Sequence, residues 1–178
     1  MACVTGWDAH FEGAEHALAQ LDDLIEQLTE QPHHSQRLED LQPVELASIG
    51  ESAWANVDGD GVDLSVQTDR RVHADEERLA TMLERLFRSA VVHGEAWHVT
   101  LGELSDGSGF YVEDDGVGVS ARREVVFRRG VTTVDSRAGL GIAMCAPIAD
   151  SHGWSISVTE SRTGGTRVEL SDVEMNSA

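Results

Sequence analysis

An apolar run, Gly109-Phe110-Tyr111-Val112, leads into Glu113-Asp114-Asp115-Gly116-Val117-Gly118, and a second glycine pair, Gly139-Leu140-Gly141, follows 21 residues after Gly118. Glycines at alternate positions after a strand let the backbone turn tightly or approach another group closely. Asp-x-Gly-x-Gly followed by Gly-x-Gly points to a nucleotide site built from backbone and one acid, Asp114. The chain contains no lysine; its 13 basic residues other than histidine are all arginine. That excludes a Walker A loop and a eukaryotic-type protein kinase site, both of which place a lysine on the phosphates.

A length of 178 residues suits one domain of ordinary size with a short appendage, and 40% apolar content suffices for a core. No apolar run approaches the roughly 18 residues of a membrane span, and nothing resembles a signal peptide. Cys3 and Cys145 form no metal or redox pattern, so a cytoplasmic setting is expected. A net charge of −19 argues against a nucleic acid partner. An acidic chain without lysine also resembles proteins of salt-loving microbes, in which salt screens self-repulsion.

Over residues 8–31, Phe11, Ala14, Leu18, Leu21, Ile25 and Leu28 alternate in steps of three and four, the seam of a bundle helix that Pro32 ends. A plain amphipathic surface helix is the alternative. Pro43 is expected to open a second helix running to about Ala55. Strands are expected at 62–66 and 71–73. Asp75 is expected to cap a helix reaching His93, with Gly94 closing it. Strands at about 97–103 and 109–113 precede a short helical turn near 123–127. A helix from Leu140 to His152 ends at Gly153, and two last strands cover 154–160 and 165–170. The final residues are expected to fray. Strands adjacent in sequence imply antiparallel neighbours. The fold class is therefore α+β: a two-layer sandwich whose mixed, mostly antiparallel sheet is covered on one face by helices.

These residues resemble the ATPase domains of histidine kinases. Leu83 to Gly94 is similar to the N-box helix, Val112 to Gly118 to the first glycine box, and Phe127 to the F-box phenylalanine. Gly139 to Ile142 is similar to the second glycine box and Gly164-Gly165-Thr166 to the last box. The resemblance covers about residues 43–171, and the flanking sequence is most similar to haloarchaeal sensor kinases. It implies that Asp114 accepts a hydrogen bond from the adenine amino group and that Gly116 and Gly118 let backbone approach the base. It also implies that 119–138 is a lid, that Gly139, Leu140 and Gly141 offer backbone to the phosphates, and that Thr166 helps hold the adenine end. His93 and Phe127 join the nucleotide site on the same ground. The implied cofactors are ATP and Mg2+.

Three departures accompany the resemblance. The asparagine that holds Mg2+ in the family is Ser89 here, a shorter ligand; an earlier N-box asparagine is Arg85, and a charged position is Val92. Arg137, followed by Ala138, replaces the first glycine of the second glycine box, where it either neutralises phosphate charge or obstructs the loop. No histidine carries the phosphoacceptor pattern, so helix 8–31 looks like the second helix of a dimerisation hairpin. His33-His34 alone is a weak metal pattern.

Three domains of sequence follow: a partial hairpin helix in 1–35, an ATP-binding domain in 36–172 and a disordered tail in 173–178. The leading expectation is a kinase module that transfers phosphate from ATP to a histidine on a partner chain. The partner would be a histidine kinase or phosphotransfer protein docked on helix 8–31, or a second copy in a homodimer. The alternative is a catalytically impaired relative that binds nucleotide and regulates kinases by docking. An ATP-hydrolysing chaperone or topoisomerase type would need a catalytic glutamate that Glu84 does not match.

Overall fold

The computed structural model describes residues 41–118, 125–127 and 144–177, all within the unit His34–Ala178. Helix 8–31, His33-His34, the greater part of the lid, Arg137 and Gly139 to Gly141 lie outside the described residues.

The chain begins with β1 (Gln42–Glu45) and α1 (Leu46–Trp54), then β2 (Asp63–Gln67), β3 (Arg71–Ala74) and α2 (Glu76–Arg88). Next come β4 (His98–Glu103), β5 (Gly109–Asp114) and β6 (Val125–Phe127), followed by α3 (Ala146–His152) and the strands β7 (Ser155–Glu160), β8 (Thr166–Ser171) and β9 (Met175–Asn176). Six strands form one sheet in the order β2-β4-β5-β8-β7-β6; β1, β3 and β9 form a second, smaller sheet. Among the described strands only β2 and β4 run parallel; β4–β5 and β7–β8 are antiparallel neighbours. The α+β class with a mixed, mostly antiparallel sheet is therefore as expected.

Strand alternation separates the two faces of the large sheet. Val99, Leu101, Phe110, Val112, Ile156, Val158, Val168 and Leu170 are buried. They share one core with Leu46, Ile49 and Ala53 of α1, with Leu79, Met82, Leu83, Leu86 and Phe87 of α2, and with Ile148 and Ala149 of α3. Each such large side chain contributes about 1.5–3 kcal/mol by burial. The alternate residues carry polar groups. Arg167 lies 3.5 Å from the centre of the Tyr111 ring and pairs with Glu113 at 2.8 Å and Glu169 at 2.7 Å. That network occupies the face opposite the core, where a second helical layer would have to bury charge.

Asp75 caps α2 as expected, its Oδ1 accepting the Arg78 amide at 3.0 Å, and Gly153 ends α3 at φ 80°. The helix continues beyond Arg88 as a π-helical turn, Ser89–His93, closed by a bond from the Gly94 amide to the Ser89 carbonyl at 3.0 Å.

Three local expectations are corrected. Pro43 does not open a helix; it lies in β1 opposite His73, and α1 starts at Leu46, whose amide bonds Arg70 O at 3.0 Å. β1 is an edge strand, where the missing proline N–H costs no ladder bond. Val125–Phe127 is a strand against β7 rather than a helical turn, because its partner Ile156–Val158 lies far away in sequence. The segment after Asp172 is ordered through Asn176: Val173 is buried, its amide bonds Ser108 O at 3.0 Å, and β9 pairs with β3.

Candidate functional site

Asp114 ends β5 facing the helices, and it is one of few buried polar side chains among the described residues. Its Oδ1 accepts the Gly116 amide at 2.9 Å and the Thr166 amide at 3.0 Å. Burial pushes the carboxyl above its ordinary range, against the opposing pull of the Thr166 and Gly116 amides. The Asp114 carbonyl is held as well, by the Ser161 hydroxyl at 2.7 Å and the Thr163 hydroxyl at 3.4 Å. Ser161 in turn accepts the Gly165 amide at 2.9 Å. The acid is thus fixed from both ends by the β7–β8 turn, a strand pair away in the fold.

The glycines around it have backbone reasons. A Cβ on Gly116 would meet the Gly94 carbonyl, and a Cβ on Gly165 would meet both the Asp114 carbonyl and its Oδ1. Gly118 adopts φ +67° and faces the Gly164 carbonyl. The Val117 amide donates to Gly94 O at 2.8 Å, so the loop after β5 is laced onto the end of the α2 helix. Asp115 completes the join: its Oδ1 accepts the Trp97 amide at 2.9 Å and the His98 amide at 2.8 Å.

Of the residues expected at the site, Asp114, Gly116, Gly118 and Thr166 meet around this loop, while Ser89 and His93 lie in the π-helical turn that ends beneath it at Gly94. π-helical turns recur at functional sites. Ser89 is half-buried and His93 exposed. Phe127 lies in β6, opposite Ile156; its side chain, like Arg137, Gly139, Leu140 and Gly141, is outside the described residues. Sequence reasoning missed Asp115, Ser161 and Thr163 as parts of the site. The run Ser161-Arg162-Thr163-Gly164-Gly165-Thr166 was readable as a turn, but its hydroxyls point to Asp114 only across the sheet.

Mg2+ takes oxygen ligands in octahedral geometry, commonly with a carboxylate among them. Ser89 offers one neutral oxygen. Glu84 accepts a bond from Asn56 at 2.6 Å, and Arg85, one helical turn before Ser89, has its Nη1 on the Met144 carbonyl at 3.3 Å. Among the described residues no group of three or more His, Cys, Asp or Glu is arranged to hold a metal. One neutral hydroxyl is a weaker partner for a divalent ion than a carboxylate.

The fold is a one-sided α+β sandwich in which a buried acid ends a central strand and the next loop is laced by glycines onto a helix end. The chain belongs to the family of histidine kinase-, DNA gyrase B- and HSP90-like ATPases, which it matches over residues 74–175. It is 37% identical over 98 residues to the sensor-type histidine kinase PrrB of Mycobacterium tuberculosis, a match covering 52% of this chain and 22% of that protein. It is 30% identical over 125 residues to the sensor histidine kinase YkoH of Bacillus subtilis, covering 64% of this chain and 28% of that one. The chain therefore spans about a quarter of the length of these curated relatives. The crystal structure of the ATP binding domain of PrrB superposes with a TM-score of 0.57 at 26% identity, covering 74% of this chain and 96% of that domain. No helix among the described residues is long and apolar enough to cross a membrane.

Proposed function

We propose that this chain binds ATP as a histidine kinase-type domain and serves two-component-like signalling by passing the γ-phosphoryl group to a histidine on a partner chain. The observation that carries the nucleotide half of this reading is Asp114: a buried acceptor, oriented by the amides of Gly116 and Thr166, matched to the exocyclic amine of adenine. The similarity to the ATP binding domain of PrrB supports the same ligand class. In the transfer, the bond between the γ-phosphorus and the bridging oxygen of ATP breaks and a bond to an imidazole nitrogen forms. ADP leaves, and the imidazole proton passes to solvent. Such a step asks the protein mainly for positioning and charge neutralisation. Helix 8–31 is the surface proposed to receive the partner, a kinase hairpin or a second copy. The domains proposed are a hairpin-type helix within 1–35 and the ATP-binding domain from 36 onward. A halophilic, cytoplasmic setting is proposed from the acidic, lysine-free composition.

Ser89 in the place of the family's asparagine favours a second reading, a nucleotide-binding regulator with impaired transfer. One experiment separates the two. The purified chain is incubated with γ-labelled ATP in molar KCl, alone and with a supplied kinase hairpin that contains a phosphoacceptor histidine. Acid-labile label on the hairpin is the outcome expected of the first reading. Saturable ATP binding with no label on any chain would leave the regulator, and no binding at millimolar ATP would remove both.

A further inference from the structure

We propose that Arg85 supplies the positive charge that meets the nucleotide's phosphates, so that this chain binds ATP as the free polyphosphate anion rather than as a divalent-metal complex. The inference rests on the nucleotide-site reading above and deepens it.

The order of groups along one helix carries the argument. The loop after Asp114 is fixed to the helix end, Val117 N–H to Gly94 O at 2.8 Å. Stepping back along the axis from Gly94, Ser89 comes five residues earlier, at the start of the π-helical turn, and Arg85 one α-helical turn before that. A nucleotide with its base at Asp114 and its phosphates along this helix passes Ser89 first and reaches Arg85 next. Residues four apart share a helix face, so both address the same side. Arg85 is half-buried, and its Nη1 donates to the Met144 carbonyl at 3.3 Å, just before α3. The side chain is therefore held in place before any ligand arrives, which lowers the entropic cost of pairing with one.

Charge points the same way. The chain carries −19 overall, a field that repels a polyanion, so a cation on the ligand's path has a large local effect. A guanidinium presents a planar fork of donors that matches phosphate oxygens and cannot lose its proton. It also repels a divalent cation from the adjoining Ser89, whose single hydroxyl is a poor substitute for a charged ligand.

The test is calorimetric titration of the full chain with ATP and with adenosine, in EDTA and in excess Mg2+, for the wild type, Arg85→Gln and Arg85→Lys. The expected result is an ATP affinity in EDTA within about threefold of that in Mg2+. Arg85→Gln is expected to weaken ATP by about tenfold or more with adenosine unchanged, and Arg85→Lys to recover part of the loss. Binding of ATP only when Mg2+ is present overturns the proposal while leaving the nucleotide site standing. An unchanged ratio of ATP to adenosine affinity in Arg85→Gln also overturns it, because Arg85 then serves only to join α2 to Met144. Absence of binding by both ATP and adenosine overturns the nucleotide-site reading itself. Should the glutamine variant fail to fold, the ratio of ATP to adenosine affinity in Arg85→Lys decides the role of Arg85, with an unchanged ratio overturning it, and the wild-type comparison between EDTA and Mg2+ decides the metal.

Discussion

The Thr166 amide donates to Asp114 Oδ1 at 3.0 Å across 52 residues of sequence, joining the first residue of β8 to the last residue of β5. The two strands are antiparallel neighbours, so the bond sits at the end of a ladder that runs from Gly109↔Ser171 to Glu113↔Arg167. Anything that alters the acid acts on the β7–β8 turn as well as on a ligand.

Asp114→Ala should therefore cost stability as well as binding. It leaves the Gly116 and Thr166 amides without their acceptor, at about 1–3 kcal/mol. Asp114→Asn keeps an oxygen for those amides but turns the other half of the group into a donor. It should unfold in urea within about 1 kcal/mol of the wild type while ATP weakens by tenfold or more. Paired urea denaturation and ATP titration check both; an asparagine variant that binds ATP normally contradicts the acceptor role.

Gly116→Ala and Gly107→Ala form a controlled pair. A Cβ at Gly116 meets the backbone carbonyl of Gly94, and backbone cannot rotate away, so a cost of about 1–3 kcal/mol and weaker ATP binding are expected. Gly107 has φ +71° with nothing within 4 Å of a new Cβ, so its substitution pays only left-handed strain, about 1–2 kcal/mol, and leaves ATP affinity alone. Equal effects of the two on ATP binding would contradict the lacing of the Asp114 loop to the helix end.

His152 should make stability fall on mild acidification. Its Nε2 accepts the Asp75 amide at 3.0 Å, which leaves Nδ1 as the donor to the Ile148 carbonyl at 2.8 Å, and its ring stacks on Trp154 with centroids 4.3 Å apart. Burial lowers its pKa below 6.5, against the pull of the Ile148 carbonyl and Asp75 and with help from Arg78. The unfolded chain then binds the proton more readily than the folded one. The contribution is present in full above the unfolded value and is lost as pH falls through 6.5 toward the lowered folded value. Urea midpoints from pH 7.5 to 5 should drop for the wild type and drop less for His152→Gln.

Cys145 should be chemically silent in the folded protein. Its thiol is fully buried, lies 3.8 Å from Met82 O and is pushed up to about 12 by burial, only partly countered by Arg85. Iodoacetamide at pH 8 should leave the peptide containing Cys145 unmodified until urea is added, as followed by mass spectrometry. Rapid native labelling would mean that the start of α3 opens readily.

Much of the fold was legible because it follows local rules. The apolar face of α2, its cap at Asp75, the glycine end of α3 and the two antiparallel strand pairs are written in spacing and in turn residues. The misreadings share one cause. Pro43, Val125–Phe127 and Val173–Asn176 take their conformations from partners far along the chain, and no local signal names a partner. At the site, Asp114, Gly116 and Gly118 were legible as a motif, whereas Ser161 and Thr163 were not.

By itself the sequence determined the sheet-and-helix class, the position of the acid at a strand end and the need for glycine after it. Those depend on residue type and periodicity, which are local. The tertiary structure decided why the glycines are there, what holds the acid and where the Arg85 side chain is tied. Those depend on Gly94 reaching Gly116, Thr166 reaching Asp114 and Arg85 reaching Met144. Each of these contacts closes a long loop of chain, so it is fixed by packing of the whole core rather than by the residues on either side of it.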